Sequence, residues 1–247
     1  MKGIVLSLYD YTGVAVKPWA EAGYECHCFD IQHPEEGRIE GNIHYYHADL
    51  HSYEVMIDLF MQYCNQPVVF MSAFPVCTDL AVSGAAHFAK KRVRDPLFQM
   101  KAVTYAKMCA TLGDQLHVPY YIENPVSVLA TKWRKPDHLF HPFEFGGYIP
   151  MTKAEHPLYP EHIAPRDAYS KKTCIWTNDL FHMPKRIPVE CENFGASRQH
   201  LKLGGKSMRT KNIRSATPRG FAEAVWMAND PDNPFRAAVQ EDSYESH

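Results

Sequence analysis

The sequence predicts an α/β fold built on an open, largely parallel sheet with helices on both faces, together with a small loop-rich insertion. Three observations carry this. Strand-like apolar runs alternate with helically spaced ones over roughly the first 133 residues, the pattern of βαβ units. At 247 residues, 45% apolar and 22% charged, the chain has the composition of an ordinary globular protein long enough for one sizeable core. Beyond residue 133, prolines, histidines and glycines become frequent and the periodicity weakens.

The elements follow in order. GIVLSLY (3–9) is an apolar, β-rich run ending in the polar turn Asp10-Tyr11-Thr12-Gly13, and residues 14–23 carry apolar side chains at helical spacing. Residues 24–30 read as a second strand, 43–48 as a third, 52–64 as a helix and 67–73 as a fourth strand. A loop around Cys77 leads to a helix-like stretch at 95–116, and VPYYIEN (118–124) is a further buried strand running into Pro125. In the loop-rich part only FEF (143–145) and TCIW (173–176) have strand character. TPRGFAEAVWMAND (217–230) restores a helix, with Thr217 as N-cap, Pro218 at the first helical position and Phe221, Ala224, Val225 and Ala228 on one face.

Composition excludes several classes. With 26 Lys+Arg against 28 Asp+Glu the net charge is −2, so a polyanion partner has to meet a local patch, not bulk charge. No apolar run approaches the roughly 20 residues of a membrane span, and MKGIVLSLYD has neither a basic leader region nor a cleavage site. A cytoplasmic protein without membrane association is expected. Seven scattered cysteines suit reduced thiols better than a disulfide framework.

In open α/β sheets, ligands bind outside the carboxyl ends of the strands. Asp10 with the Thr12-Gly13 turn, Asp30, Asp49, Cys77 and Glu123 all sit at such ends. An acid at one strand end is ordinary turn chemistry; five strand ends delivering polar groups to one rim are not explained that way. An acid ending the second strand can accept hydrogen bonds from both ribose hydroxyls, and one ending the third can accept from an adenine amine. The first turn lacks the G-x-G-x-x-G cradle that a pyrophosphate needs, which favours S-adenosylmethionine over a dinucleotide.

SLYDYTG (7–13), AEAGYECHCFDIQ (20–32), FPVCTDLAVSG (74–84) and YIENP (121–125) resemble the ordered motifs of cytosine-C5 DNA methyltransferases, especially the short enzymes of phages and bacteria. The similarity covers roughly residues 3–130 and resumes at KKTCIW (171–176) and SATPRGFAEAV (215–225). It implies a Rossmann-like, S-adenosyl-L-methionine-dependent methyltransferase sheet, acting on a cytosine flipped out of duplex DNA in a bacterial cell or phage-infected host. Cys77 and Glu123 are then the catalytic pair, with Pro75, Asn124, Pro125, Lys171 and Lys172 around the base. Tyr9, Asp10, Thr12, Gly13, Asp30, Ile31, Asp49 and Leu50 form the implied cofactor set. A catalytic domain is expected at 1–145, a target-recognition region at 146–214 that includes the returning strand near 171–176, and a closing helix and tail at 215–247.

The chemistry explains the pairing of those motifs. Cytosine C5 is too electron-poor to attack a methyl donor until a thiolate adds to C6, and the charge this drives toward N3 needs a carboxyl partner. Two departures from the family pattern stand out: Val76-Cys77 replaces the usual Pro-Cys, and Tyr169-Ser170-Lys171-Lys172-Thr173 stands where Gln-x-Arg-x-Arg is usual. The same chemistry on RNA, a carboxylated donor, and a non-catalytic nucleic-acid-binding relative remain open alternatives.

Residues 198–219 hold Arg198, Lys202, Lys206, Arg209, Lys211, Arg214 and Arg219 with no acidic residue, a candidate phosphate-binding face. Lys90, Lys91, Arg92 and Arg94 form a second patch. GGKS (204–207) lacks the leading glycine and preceding strand of a phosphate loop. Neither Cys26, His27 and Cys28 nor His44, His47 and His51 has the paired spacing of a structural zinc site, so no metal is expected.

Overall fold

The apolar run near the start of the chain forms β1 (Ile4–Leu8), buried at every position, in a computed structural model that describes residues 2–192, 197–204 and 207–240. There follow α1 (Lys17–Glu21), β2 (Glu25–Asp30), β3 (Arg38–Glu40), β4 (Ile43–His47), α2 (Tyr53–Tyr63), β5 (Val68–Ala73), α3 (Phe88–Arg94) and α4 (Phe98–Gln115). The chain continues through β6 (Tyr120–Pro125), α5 (Leu129–Lys132), β7 (His138–Phe140), β8 (Thr173–Thr177), α6 (Arg198–Lys202), α7 (Met208–Ser215) and α8 (Arg219–Asn229).

The strands form one sheet in the order β3-β4-β2-β1-β5-β6-β8-β7. The pairs from β4 across to β6 are parallel, whereas β3 pairs β4 and β8 pairs β6 in antiparallel fashion. Counted along the chain, the parallel strands therefore lie 3-2-1-4-5, the doubly wound arrangement whose direction of winding reverses beside the first strand. The α/β class read from the sequence is the one observed.

Two compact units divide the chain: Met1–Tyr11 with Gly23–Leu139 and Lys172–Phe181, and Thr12–Ala22 with Phe140–Lys171 and His182–His247. In the first, Leu6, Leu8, Met71 and Ile122 on one sheet face pack with Met56 and Leu59 of α2 and Ala106 and Cys109 of α4. Each large apolar side chain so buried contributes about 1.5–3 kcal/mol. Ser52 caps α2, its Oγ accepting from Val55 N at 3.3 Å. On the opposite sheet face Phe70 and Tyr121 pack around Phe181.

The second unit contains two departures from the expected elements. FEF is not a strand: residues Pro142–Tyr148 form a 3₁₀ turn. Pro142 has no N–H to give a ladder, Glu144 reaches back to His141 N, and a Cβ at Gly146 would collide with the Arg166 carbonyl. Thr217 is not the cap of the closing helix, which starts at Arg219 after Pro218 with no cap bond from its own flanking side chain. The cap comes from far along the chain instead: Asp167 Oδ2 accepts from Gly220 N at 3.0 Å. Phe221 stacks on Phe140 at 4.1 Å and fixes the helix against that turn region.

The helix expected over 14–23 is confined to Lys17–Glu21. Six further elements, β3, α3, α5, β7, α6 and α7, have no counterpart in the sequence pattern because each is short or polar. Among the described residues no helix is long and apolar enough to cross a membrane.

Candidate active site

The rim at the carboxyl ends of β1, β2 and β4 is built by local turn chemistry. Tyr9, directly after β1, has φ +59°, a left-handed conformation that a bulky side chain adopts only under constraint. Its hydroxyl donates to Leu50 O at 2.9 Å, so Tyr9 and Leu50 tie the ends of the first and third parallel strands together. Burial pushes the Tyr9 phenol far up, keeping it a neutral donor. Beside it His51 stacks on Tyr105 with ring centroids 4.0 Å apart.

Asp10 is buried, yet its carboxylate is not left unpaired. Ser7 Oγ donates to Asp10 Oδ2 at 2.9 Å and lies 2.9 Å from Ser72 Oγ, which in turn bonds the buried Tyr121 hydroxyl. A hydroxyl has one proton, so with Ser7 committed to Asp10 the donors run Tyr121 to Ser72 to Ser7 to Asp10. Ser7 and Ser72 face each other in the β1/β5 register. Burial and the nearby Asp10 and Glu123 carboxylates push the Tyr121 phenol up, which holds it in the donating form. Sequence reasoning missed this chain of hydroxyls, whose only local signal is two serines inside apolar strands.

Asp30 ends β2 with Oδ1 accepting from Gln32 N at 2.8 Å, and Ile31 beside it is 57% exposed. An acid adjoining an exposed apolar side chain suits a nucleoside, whose ribose can bond the carboxylate while its base lies on the apolar surface. Asp49 is exposed, its Oδ1 accepting from His51 N at 3.1 Å.

Cys77 and Glu123 come from neighbouring parallel strands. β5 pairs β6 through Ala73 opposite Ile122, so Cys77 lies in the loop four residues past the end of β5 and Glu123 one residue beyond the pair within β6. Asn124 Nδ2 donates to Pro75 O at 2.9 Å, both deep in the protein. Farther on, Val82 N donates to Val126 O and Val128 N to Leu80 O, with Ala81 bridging Ser127. Leu80 N and Ala81 N both close on Cys77 O, at 2.9 and 2.8 Å. The loop carrying the thiol is thus laced to the strand carrying the carboxyl at both ends. Lys91 braces it from α3, donating to Asp79 at 2.6 Å and Thr78 O at 2.9 Å, so this lysine of the second basic patch holds the loop. Cys77 and Glu123 are half-buried, Val76 is exposed, and Pro125 pairs with Thr173 at the end of the ladder. Near Cys174, pushed up to about 11 chiefly by burial, both Glu123 and Lys172 act electrostatically.

In the second unit, Thr12 Oγ1 accepts from Val14 N at 3.3 Å and Gly13 takes φ +68°, a conformation glycine adopts without penalty. Lys171 Nζ donates to Arg214 O at 3.1 Å. Of the basic face, Arg198 forks onto the Glu192 carboxylate, Lys202 donates to Glu161 O and Arg214 to Leu203 O. Arg219 donates to the carbonyls of Lys153, Ala154 and Glu155. Arg209 and Lys211 are exposed on α7. Lys206 lies outside the described residues.

No protein-family model matches the chain, and no curated protein does. Among solved structures it is similar to a provisionally assigned DNA modification methyltransferase encoded within an E. coli prophage, at 13% identity and a TM-score of 0.44. The overlay covers 76% of this chain and 52% of that one, so the chain spans about half the length of that neighbour.

Proposed function

We propose that the chain is an S-adenosyl-L-methionine-dependent transferase acting on C5 of cytosine in DNA through a covalent Cys77 adduct. The observation that carries this is the lacing of the Cys77 loop to the Glu123-Asn124 strand by the Asn124 to Pro75 bond and the Ala81 to Ser127 bridge. A thiol on the loop after β5 and a carboxyl on the adjoining strand β6, held by ties that use neither group, are what addition to a pyrimidine ring requires.

Cys77 as thiolate forms a bond to C6, and the displaced electron pair moves toward N3. Glu123 answers it there, giving or sharing a proton at N3, so the ring becomes an enamine nucleophilic at C5. The donor supplies an electrophilic methyl on sulfonium. Asp30, Ile31, Asp10 and Tyr9 fit its nucleoside and charged ends: a buried acid beside an exposed apolar side chain, and a second acid oriented by Ser7. Loss of the C5 proton to water then expels Cys77 as thiolate, and the aromatic ring is restored as the N3 proton returns to Glu123. A duplex cytosine must leave the stack to reach the thiol, and the exposed cations Arg209 and Lys211 suit phosphate contacts during that step.

Duplex DNA containing 5-fluorocytosine tests this, because fluorine at C5 cannot leave as a proton and the adduct persists. Incubated with labelled S-adenosylmethionine, wild type should carry label and DNA through a denaturing gel, and Cys77→Ala should not. Adduct formation by the variant, or none by wild type on either DNA or RNA, sinks the mechanism; an adduct on RNA alone moves the substrate. Mass spectrometry of nucleosides from ordinary DNA identifies the group transferred.

A further inference from the structure

Away from the rim, β2 and β4 bring together three side chains that separate stretches of sequence keep apart. His27 stands opposite His44 in the parallel register, and strand alternation puts Glu25 on the same face as His27. The Glu25 carboxylate and the two imidazoles place one ligand atom each within 4.8 Å of one another. Both rings are oriented by tyrosine hydroxyls at Nδ1: Tyr63 on His27 at 2.5 Å and Tyr46 on His44 at 3.4 Å. His27 Nε2 then meets Glu25 Oε1 at 2.7 Å.

From this geometry we infer a divalent transition-metal site formed by Glu25, His27 and His44, with zinc as its ion. Metal-binding histidines characteristically engage the non-ligating ring nitrogen in a hydrogen bond that fixes the tautomer and the ring plane. Here Tyr63 and Tyr46 do so, leaving Nε2 of both rings for the ion. Two imidazoles and one carboxylate select zinc over calcium or magnesium, which demand oxygen ligands.

Insertion of the ion replaces the direct Glu25 to His27 bond. With bonds of about 2.0–2.2 Å, tetrahedral ligand atoms stand roughly 3.3–3.6 Å apart, so the carboxylate withdraws by less than an ångström from its present 2.7 Å while atoms of the set now up to 4.8 Å apart close in. Glu25, 24% exposed, and the half-buried His44 give the ion a route in and leave a fourth position to water. The cluster occupies the first half of β2, whereas Asp30 ends that strand, about 10 Å farther along at the rise of an extended chain. The site therefore staples two strands without entering the transfer reaction, and its test needs no activity.

Chelator-treated protein is titrated with Co²⁺, read by visible ligand-field absorption, and with Zn²⁺ in competition with a chromophoric chelator. Wild type should take up one ion per chain with the intense spectrum of tetrahedral Co²⁺, and zinc should displace it. His44→Ala and Glu25→Gln should weaken binding at least about 100-fold, beyond the effect usual for a residue that only orients a ligand, while the exposed His87→Ala should leave it unchanged. Zinc should raise the Tm of wild type and not that of His44→Ala, whose side chain is half-exposed and whose fold is checked by circular dichroism. Wild-type affinity no better than that of His44→Ala, or Co²⁺ that keeps its octahedral aquo spectrum, overturns the proposal.

Discussion

The rim of the sheet and the basic segment of the second unit use polar side chains in opposite ways. At the rim, the groups that hold are not the reactive ones: Asn124 binds Pro75 O, the Ala81 to Ser127 bridge closes the loop and Lys91 clamps Asp79 and Thr78 O, ties that use neither the Cys77 thiol nor the Glu123 carboxyl. In the segment after residue 197 the charged side chains themselves do the holding. Arg198, Lys202, Arg214 and Arg219 are bonded to Glu192 or to carbonyls of their own unit. A density of charge along a sequence is thus a poor measure of charge presented to a partner, because guanidinium groups are also the best available donors to loop carbonyls.

The comparison breaks first at the rim if the thiol and the carboxyl prove dispensable. Cys77→Ser should lower transfer by roughly 10⁴-fold or more, the scale on which loss of a nucleophile acts. Glu123→Gln should lower kcat by about 10²–10⁴-fold with unchanged thermal unfolding, since Glu123 is half-buried and takes no part in the Asn124 to Pro75 tie. Single-turnover assays of both variants decide this. A Glu123→Gln enzyme with full kcat removes the carboxyl from the mechanism.

The second unit has its own buried charges, and their effects oppose each other. Burial raises the Asp167 carboxyl to about 6 and lowers His156 to about 4. Between pH 4 and 6 the native chain keeps the Asp167 proton that the unfolded chain has lost, so this group makes stability fall as pH rises. Over about pH 4 to 6.5 the unfolded chain binds a proton at His156 that the native chain refuses, so this group makes stability rise over nearly the same window. Each shift corresponds to about 3 kcal/mol. These two contributions should therefore largely cancel across that window. Asp167→Asn still accepts the Gly220 amide, and should expose the His156 slope. Urea titrations at pH 4.5 and 6.5 measure it; equal slopes in wild type and variant would contradict the opposition.

A smaller effect separates the lacing from the chemistry it supports. Asn124→Ala leaves the Pro75 carbonyl buried without its donor and should cost about 1–3 kcal/mol of stability, with transfer reduced because the Cys77 loop loses a tie. If equilibrium unfolding is unchanged, the Ala81 bridge and the Lys91 clamp hold the loop without Asn124.

How much of this was legible follows from the range of each interaction. Polar positions at or near strand ends, such as Asp10, Asp30 and Glu123, are readable because an apolar run stops at a polar residue, a local event. The Ser7 to Ser72 pair spans 65 residues and exists only in the β1/β5 register, so two serines in apolar strands carry no sign of it. Thr217 had every local mark of a cap, but Asp167, 53 residues before Gly220, supplies it through tertiary contact. The metal cluster failed as a sequence pattern for the same reason, since His27 and His44 meet only by strand pairing. Basic residues were visible in number, and their carbonyl partners were not.

Those partners set the last prediction. If charge at 198–214 is divided between holding and presenting, its members should separate under substitution. Arg209→Ala and Lys211→Ala, exposed on α7, should weaken duplex binding alike on all sequences and reduce the salt slope by about 0.9 for each phosphate no longer neutralised, with stability unchanged. Arg198→Ala should do the reverse: it removes the fork onto Glu192 and a bond to Pro160 O, costing about 0–1 kcal/mol at this half-exposed pair, with little change in the salt slope. Binding isotherms at several salt concentrations, beside urea unfolding of the same proteins, distinguish the two roles. An equal drop in slope for Arg198→Ala and Arg209→Ala would mean that the Glu192 bond opens when DNA binds, and that the whole segment acts as one phosphate-binding surface.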